Sequence, residues 1–107
     1  MEKINIVVSN DASNYLDDLI EILYRKDYFG FIDSAQNYVS RIYEFIYDNI
    51  LIFPAKKTPK QLFGYSQHYI FYKINPKTTW YIFFEKSGCN YLVTQIFNNH
   101  CEESKYL

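Results

Sequence analysis

The chain has 107 residues, a length that holds one domain and leaves no room for a second. Its 49% apolar and 21% charged content, with three Gly and three Pro, excludes a disordered, collagen-like or linker-rich chain. A formal charge of −1 excludes bulk attraction to polyanions, but the charge is uneven. Residues 1–53 carry nine acids against four bases, while residues 54–65 carry Lys56, Lys57 and Lys60 and no acid. A partner that reads charge can therefore distinguish two regions. Aromatics are the compositional anomaly, with 12 Tyr, 9 Phe and one Trp.

Residues 4–8 (Ile-Asn-Ile-Val-Val) read as a short strand. Ser9 follows as an N-cap, with Asp11 in the first helical turn, where a negative charge suits the helix dipole. Ala12, Leu16, Leu19, Ile20, Leu23 and Tyr24 recur at helical spacing, and Gly30 is placed to stop that helix. Ile32, Ala35, Val39, Ile42, Tyr43, Ile46 and Ile50 predict a second amphipathic helix, closed by Pro54. Two such helices a few residues apart make an antiparallel hairpin.

Beyond Pro54 the pattern changes from helical to extended. Segments 67–74, 79–85 and 90–97 are rich in aromatic and β-branched residues. Asn75-Pro76-Lys77 separates the first two, and Lys86-Ser87-Gly88 the last two, giving antiparallel hairpins. The expected fold class is α+β, in the order β-α-α-β-β-β, with the helical hairpin packed on a small antiparallel sheet. Apolar runs on both strand parities imply that the central strands are covered on both faces, or that one aromatic face binds a partner. Leu16, Ile20, Leu23, Val39, Ile42 and Ile46 are the expected helical core.

Cys89 and Cys101 flank a strand whose eight residues span about 26 Å. A disulfide needs Cα atoms within about 7 Å, so the two are expected to be free thiols. No Cys/His set has zinc spacing, and no metal or cofactor is expected. No apolar run approaches the ~20 residues of a membrane helix, and a cytoplasmic location is expected.

Several segments together carry a family resemblance. They are Ser9-x-x-Ala12 before the first helix, Asn37-Tyr38-Val39-Ser40-Arg41-Ile42 in the second, and the Phe53-Pro54 step. The basic segment Lys56-Lys57-Thr58-Pro59 with Leu62, and the strand His68-Tyr69-Ile70-Phe71-Tyr72-Lys73-Ile74, complete the set. In this order the chain resembles the RelE/ParE toxin superfamily of bacterial type II toxin–antitoxin (plasmid stabilisation) modules. The resemblance covers nearly the whole chain and implies a single toxin domain over residues 1–107 that inhibits growth. It also implies neutralisation by a cognate antitoxin protein. RelE-like members cut messenger RNA on the ribosome, whereas ParE-like members inhibit DNA gyrase, and the fold does not choose between them.

Metal-free RNA cleavage needs a base, a cation for the developing phosphorane and an acid for the leaving oxygen. RNA-cleaving relatives usually hold Arg just before the Ile70-Phe71-Tyr72 segment, where Tyr69 stands here. They hold another Arg at the end of the last strand, where Asn98, Asn99 and His100 stand here. Only arginine offers a permanent forked cation for phosphate, and the chain has just Arg25 and Arg41, both in the acidic half. A cleaving site would rest on His68, His100 and Tyr106 as catalytic groups, with Lys56, Lys57 and Lys60 binding nucleic acid or another target. Tyr72 and Trp80 are candidates for stacking bases, though their place in apolar strands favours core packing. The missing arginines favour a toxin that acts by binding a target such as gyrase. The alternatives are a ribosome-dependent endoribonuclease with a substituted site, and a degenerate member that retains only antitoxin binding.

Overall fold

A computed structural model describes residues 3–25, 32–62, 64 and 66–107. Strand β1 (Asn5–Val8) leads directly into helix α1 (Asn10–Arg25), which is followed by α2 (Ile32–Asn49). Then come a two-residue strand β2 (Lys56–Lys57), a 3₁₀ turn at Lys60–Leu62, and strands β3 (His68–Asn75), β4 (Thr78–Ser87) and β5 (Asn90–Asn98). A second 3₁₀ turn, Glu102–Tyr106, ends the chain. Gly30 and the side chains of Leu23, Tyr24 and Ile32 lie outside the described residues.

The helix starts where its cap chemistry places it. The Ser9 hydroxyl accepts a hydrogen bond from the Ala12 amide at 3.1 Å and donates to the Thr94 carbonyl at 3.3 Å. One side chain thus caps α1 and ties it to β5. Helix α2 stops five residues before Pro54. The Asn49 carbonyl accepts both the Ile52 and Phe53 amides, and the Asn49 amide group turns back to the Phe45 carbonyl. That local competition for backbone partners ends the helix earlier than proline sterics alone require.

All five strands form one sheet in the order β1-β5-β4-β3-β2. The β3–β4 and β4–β5 pairs are antiparallel hairpins, as expected. In the first turn the Lys77 amide bonds the Asn75 side chain at 2.9 Å. In the second, Gly88 takes the left-handed conformation at φ +59°. The expectation of an all-antiparallel sheet is corrected at its margin, because β1 pairs with β5 in parallel register. The chain leaves β1 into two helices before any other strand forms, and hairpin logic governs only sequential neighbours. The sheet also gains β2, where a loop was expected. Pro54 and Pro59 flank this segment and hold the pairing to Lys56 and Lys57.

One irregularity sets which side chains face which way. Phe83 pairs with Gln95 and Phe84 with Val93, so Thr94 is an extra residue in β5. The Thr94 hydroxyl reaches the Phe83 carbonyl at 3.4 Å and lies 2.6 Å from the Ser66 hydroxyl, so side chains serve the disrupted ladder.

The helices cover one face. Ala12, Leu16 and Leu19 of α1 and Val39, Ile42 and Ile46 of α2 pack on Ile70, Ile74, Trp80, Ile82, Phe84, Tyr91, Val93 and Ile96. Of the expected helical core, Leu16, Val39, Ile42 and Ile46 are buried and Ile20 is half-buried at the rim. A second apolar cluster forms on the other face from Leu62, Tyr69, Phe83 and Phe97, with Cys101 and Leu107 against it. The central strands are therefore apolar on both parities because both faces are covered at least in part. Cys89 and Cys101 are not joined in a disulfide. No described helix is long and apolar enough to cross a membrane.

Candidate binding face on the sheet

Strand alternation assigns the face away from the helices. Tyr69, Phe71 and Lys73 project there from β3, and Thr79, Tyr81 and Phe83 from β4. Lys56 is the register partner of Tyr69 and shares that face, whereas Lys57 partners His68 on the helix-covered face. The structure therefore does not bring the three expected lysines onto one face. Lys60 sits apart, exposed in the 3₁₀ turn.

The second cluster covers only part of this face. What remains open is a groove of about 270 Å³ lined by Lys56, Tyr69, Phe71, Lys73, Thr79, Tyr81 and Leu107. Its floor is rigid. Tyr69 meets Phe83 at 5.4 Å between ring centroids, Phe83 meets Phe97 at 5.1 Å, and Tyr69 and Tyr81 cross edge-on at 6.0 Å. Phe71 and Tyr81, partners across the β3–β4 ladder, are half-exposed and offer the aromatic contact surface. The Lys56 Nζ sits 5.1 Å above the Phe71 ring, a cation–π contact that holds the ammonium over the floor.

Among the described lining residues, the charged side chains are Lys56 and Lys73, on a chain that is net acidic. Burial raises the Tyr69 phenol above its ordinary range, and neighbouring Tyr81 adds to the shift. The phenol therefore stays neutral at physiological pH, able to donate or accept a hydrogen bond. Such a site takes a flat or apolar group onto the rings and an anionic group between the lysines.

The expected catalytic groups fall elsewhere. His68 opens β3 on the helix-covered side, with its ring 6.0 Å from Phe84, and borders a separate groove with Phe53, Ala55 and Lys86. His100 follows β5, with Nε2 3.4 Å from the Thr78 hydroxyl. His68 and Thr78 mark opposite ends of the β3–β4 hairpin, separated by about 23 Å of strand. Tyr106 is 41% exposed, with the Lys105 Nζ 5.2 Å over its ring. Only its neighbour Leu107 reaches the groove. The histidines are thus too far apart to share one scissile phosphate, and neither lines the groove.

Trp80 is buried, donating through Nε1 to the Tyr38 hydroxyl at 3.0 Å. Tyr72 stacks on Phe45 at 4.6 Å and accepts from Arg41 at 3.4 Å. Both are held in packing on the helix-covered side rather than offered to a ligand. Arg41 also reaches the Ile74 carbonyl at 3.5 Å, so this arginine braces the edge of β3.

Sequence reasoning missed Phe71, Lys73 and Tyr81. Their signal is strand parity: 69, 71 and 73 share one face, as do 79, 81 and 83. No protein-family model, curated protein or solved structure matches the chain.

Proposed function

We propose that the chain is the toxin of a type II toxin–antitoxin module of the RelE/ParE kind, and that it arrests growth by holding a target rather than by cutting RNA. The observation that carries the reading is the groove itself: two lysines, a half-exposed aromatic pair and a neutral phenol on a packed sheet, with both histidines outside it. This is equipment for binding, whereas acid–base chemistry needs its groups within hydrogen-bond reach of one substrate. The resemblance of its segments supports the toxin class, and the element order β-α-α-β-β-β-β, one short strand more than expected, is compatible with it.

In this reading an anionic stretch of the target, DNA gyrase being the leading candidate, is drawn to Lys56 and Lys73. An apolar or planar group then settles on Phe71 and Tyr81. Contacts near a rigid aromatic anchor carry most of the binding energy, and the lysines contribute orientation and encounter rate. A cognate antitoxin would silence the protein by occupying or covering the same face. A second reading, the ribosome-dependent endoribonuclease, is favoured by the same aromatic–lysine pairing, because bases stack on rings while lysines follow phosphates.

Controlled expression in a bacterial host tests the class: growth arrest relieved by a cognate antitoxin supports it. Gyrase supercoiling assays run beside primer extension on translated messages then separate the modes. Loss of supercoiling with intact messages supports target holding, and messages cut within translated codons support the endoribonuclease. Unimpeded growth would leave the degenerate, antitoxin-binding member as the better description.

A further inference from the structure

The two margins of the sheet are built differently. At one, β2 is only two residues long, both lysine, and is flanked by Pro54 and Pro59, features that discourage further strand pairing. At the other, β1 is the uncharged run Asn5-Ile6-Val7-Val8 with neither lysine nor proline. Among the described residues, β1 pairs with β5 on one side only.

The parallel ladder settles which backbone groups are used. The Asn5 amide bonds the Cys89 carbonyl at 3.0 Å and the Ser9 amide bonds the Val93 carbonyl at 2.8 Å. Odd-numbered residues of β1 therefore turn inward, and the amides and carbonyls of Ile6 and Val8 turn outward. On the face away from the helices, Val7 is 54% exposed beside its register partner Leu92 at 38%.

We propose that β1 is a self-pairing edge, joining two copies of this chain through an antiparallel, two-fold β1–β1 contact that makes one continuous ten-stranded sheet. This inference is independent of the proposed function. The donors and acceptors of β1 are self-complementary about Val7. Ile6 of one copy faces Val8 of the other, and both pairs exchange N–H and C=O, which uses all four outward amides and carbonyls. Val7 then meets its own symmetry mate at the close, non-hydrogen-bonded position, about 4.5 Å between Cα atoms, and its exposed side chain is covered. A contact one edge strand long lies at the small end of protein interfaces, and the dimer is expected to form at micromolar to millimolar concentrations.

Sedimentation velocity of the purified chain from about 1 µM to 1 mM reads the equilibrium directly. A monomer–dimer transition is expected, abolished by Val7→Lys, which sets two like charges face to face. Circular dichroism establishes that this variant folds. The position of the axis is read by cross-linking in a Cys89→Ser/Cys101→Ser background. Val7→Cys oxidises to a disulfide-linked dimer, because the close pair meets disulfide geometry. Asn5→Cys, whose symmetry mate lies about 13 Å away along the strands, does not. A chain that stays monomeric throughout, a dimer unaffected by Val7→Lys, or Asn5→Cys cross-linking as readily as Val7→Cys would each overturn the proposal.

Discussion

Replacing Tyr38 by Phe removes the acceptor of one buried hydrogen bond. Trp80 is 1% exposed, and its Nε1–H donates to the Tyr38 hydroxyl at 3.0 Å, joining α2 to β4. The two rings meet edge-on at 6.4 Å with planes 71° apart, and phenylalanine preserves that contact. What the substitution removes is the acceptor, leaving an indole N–H buried without it. An unsatisfied buried donor costs about 1–3 kcal/mol, against a total stability of about 5–15 kcal/mol for a small domain. With a urea slope of about 1–3 kcal/mol/M, the unfolding midpoint should fall by roughly 1 M. Trp80 is the only tryptophan, so its fluorescence reports both the local environment and the transition. The same substitution made beside Trp80→Phe, followed by circular dichroism, should cost at least about 1 kcal/mol less, because the donor is already gone. A midpoint shift below about 0.3 M, or equal costs in the two backgrounds, would refute the account of this pair.

Further expectations follow from other contacts. Ser9→Ala removes both the α1 cap and the tie to Thr94 and should cost about 0.5–2 kcal/mol in chemical denaturation. Tyr15 has its phenol raised above 10.0, chiefly by burial and then by Cys101 and Tyr38. Above pH 10 the unfolded chain therefore loses that proton first, so stability is intact below that pH and declines above it. Tyr15→Phe should decline less steeply between about pH 10 and 12 in parallel melts. His100→Ala and Tyr106→Phe should each leave growth arrest within a few-fold of the parent. A loss of ~10²-fold or more in either, with cleaved messages in the parent, would move the endoribonuclease to first place.

The secondary structure was legible because each signal is local. Ser9 marks a helix start, the Val39–Ile42–Ile46 spacing marks a helix face, and Asn75-Pro76 and Gly88 mark turns between aromatic strands. The parallel β1–β5 pairing was not, since Asn5 meets Asn90 and no short-range pattern encodes a partner 85 residues away. The basic segment was visible as composition, but composition does not say which face each lysine takes. Lys56 and Lys57 are adjacent in the chain, and extended backbone sends them to opposite faces. Pairing with Tyr69 brings Lys56 to Phe71, and its charge counterpart becomes Lys73 of β3 rather than Lys57. The aromatic excess divides similarly: Trp80 and Tyr72 are structural, whereas Phe71 and Tyr81 border the groove.

The most direct measurement of the central claim compares growth on induction of the parent chain and of Lys56→Glu/Lys73→Glu, at matched protein level. Both lysines are exposed, so the reversals spare the core. Exposed ion pairs are worth about 0.2–1 kcal/mol each, and reversal exchanges attraction for repulsion. Two reversals should therefore weaken target binding by about 0.8–4 kcal/mol, roughly 4-fold to several-hundred-fold. The account predicts growth arrest by the parent and recovered growth with the folded double variant. An innocuous parent, or a double variant that arrests growth as completely as the parent, would contradict it.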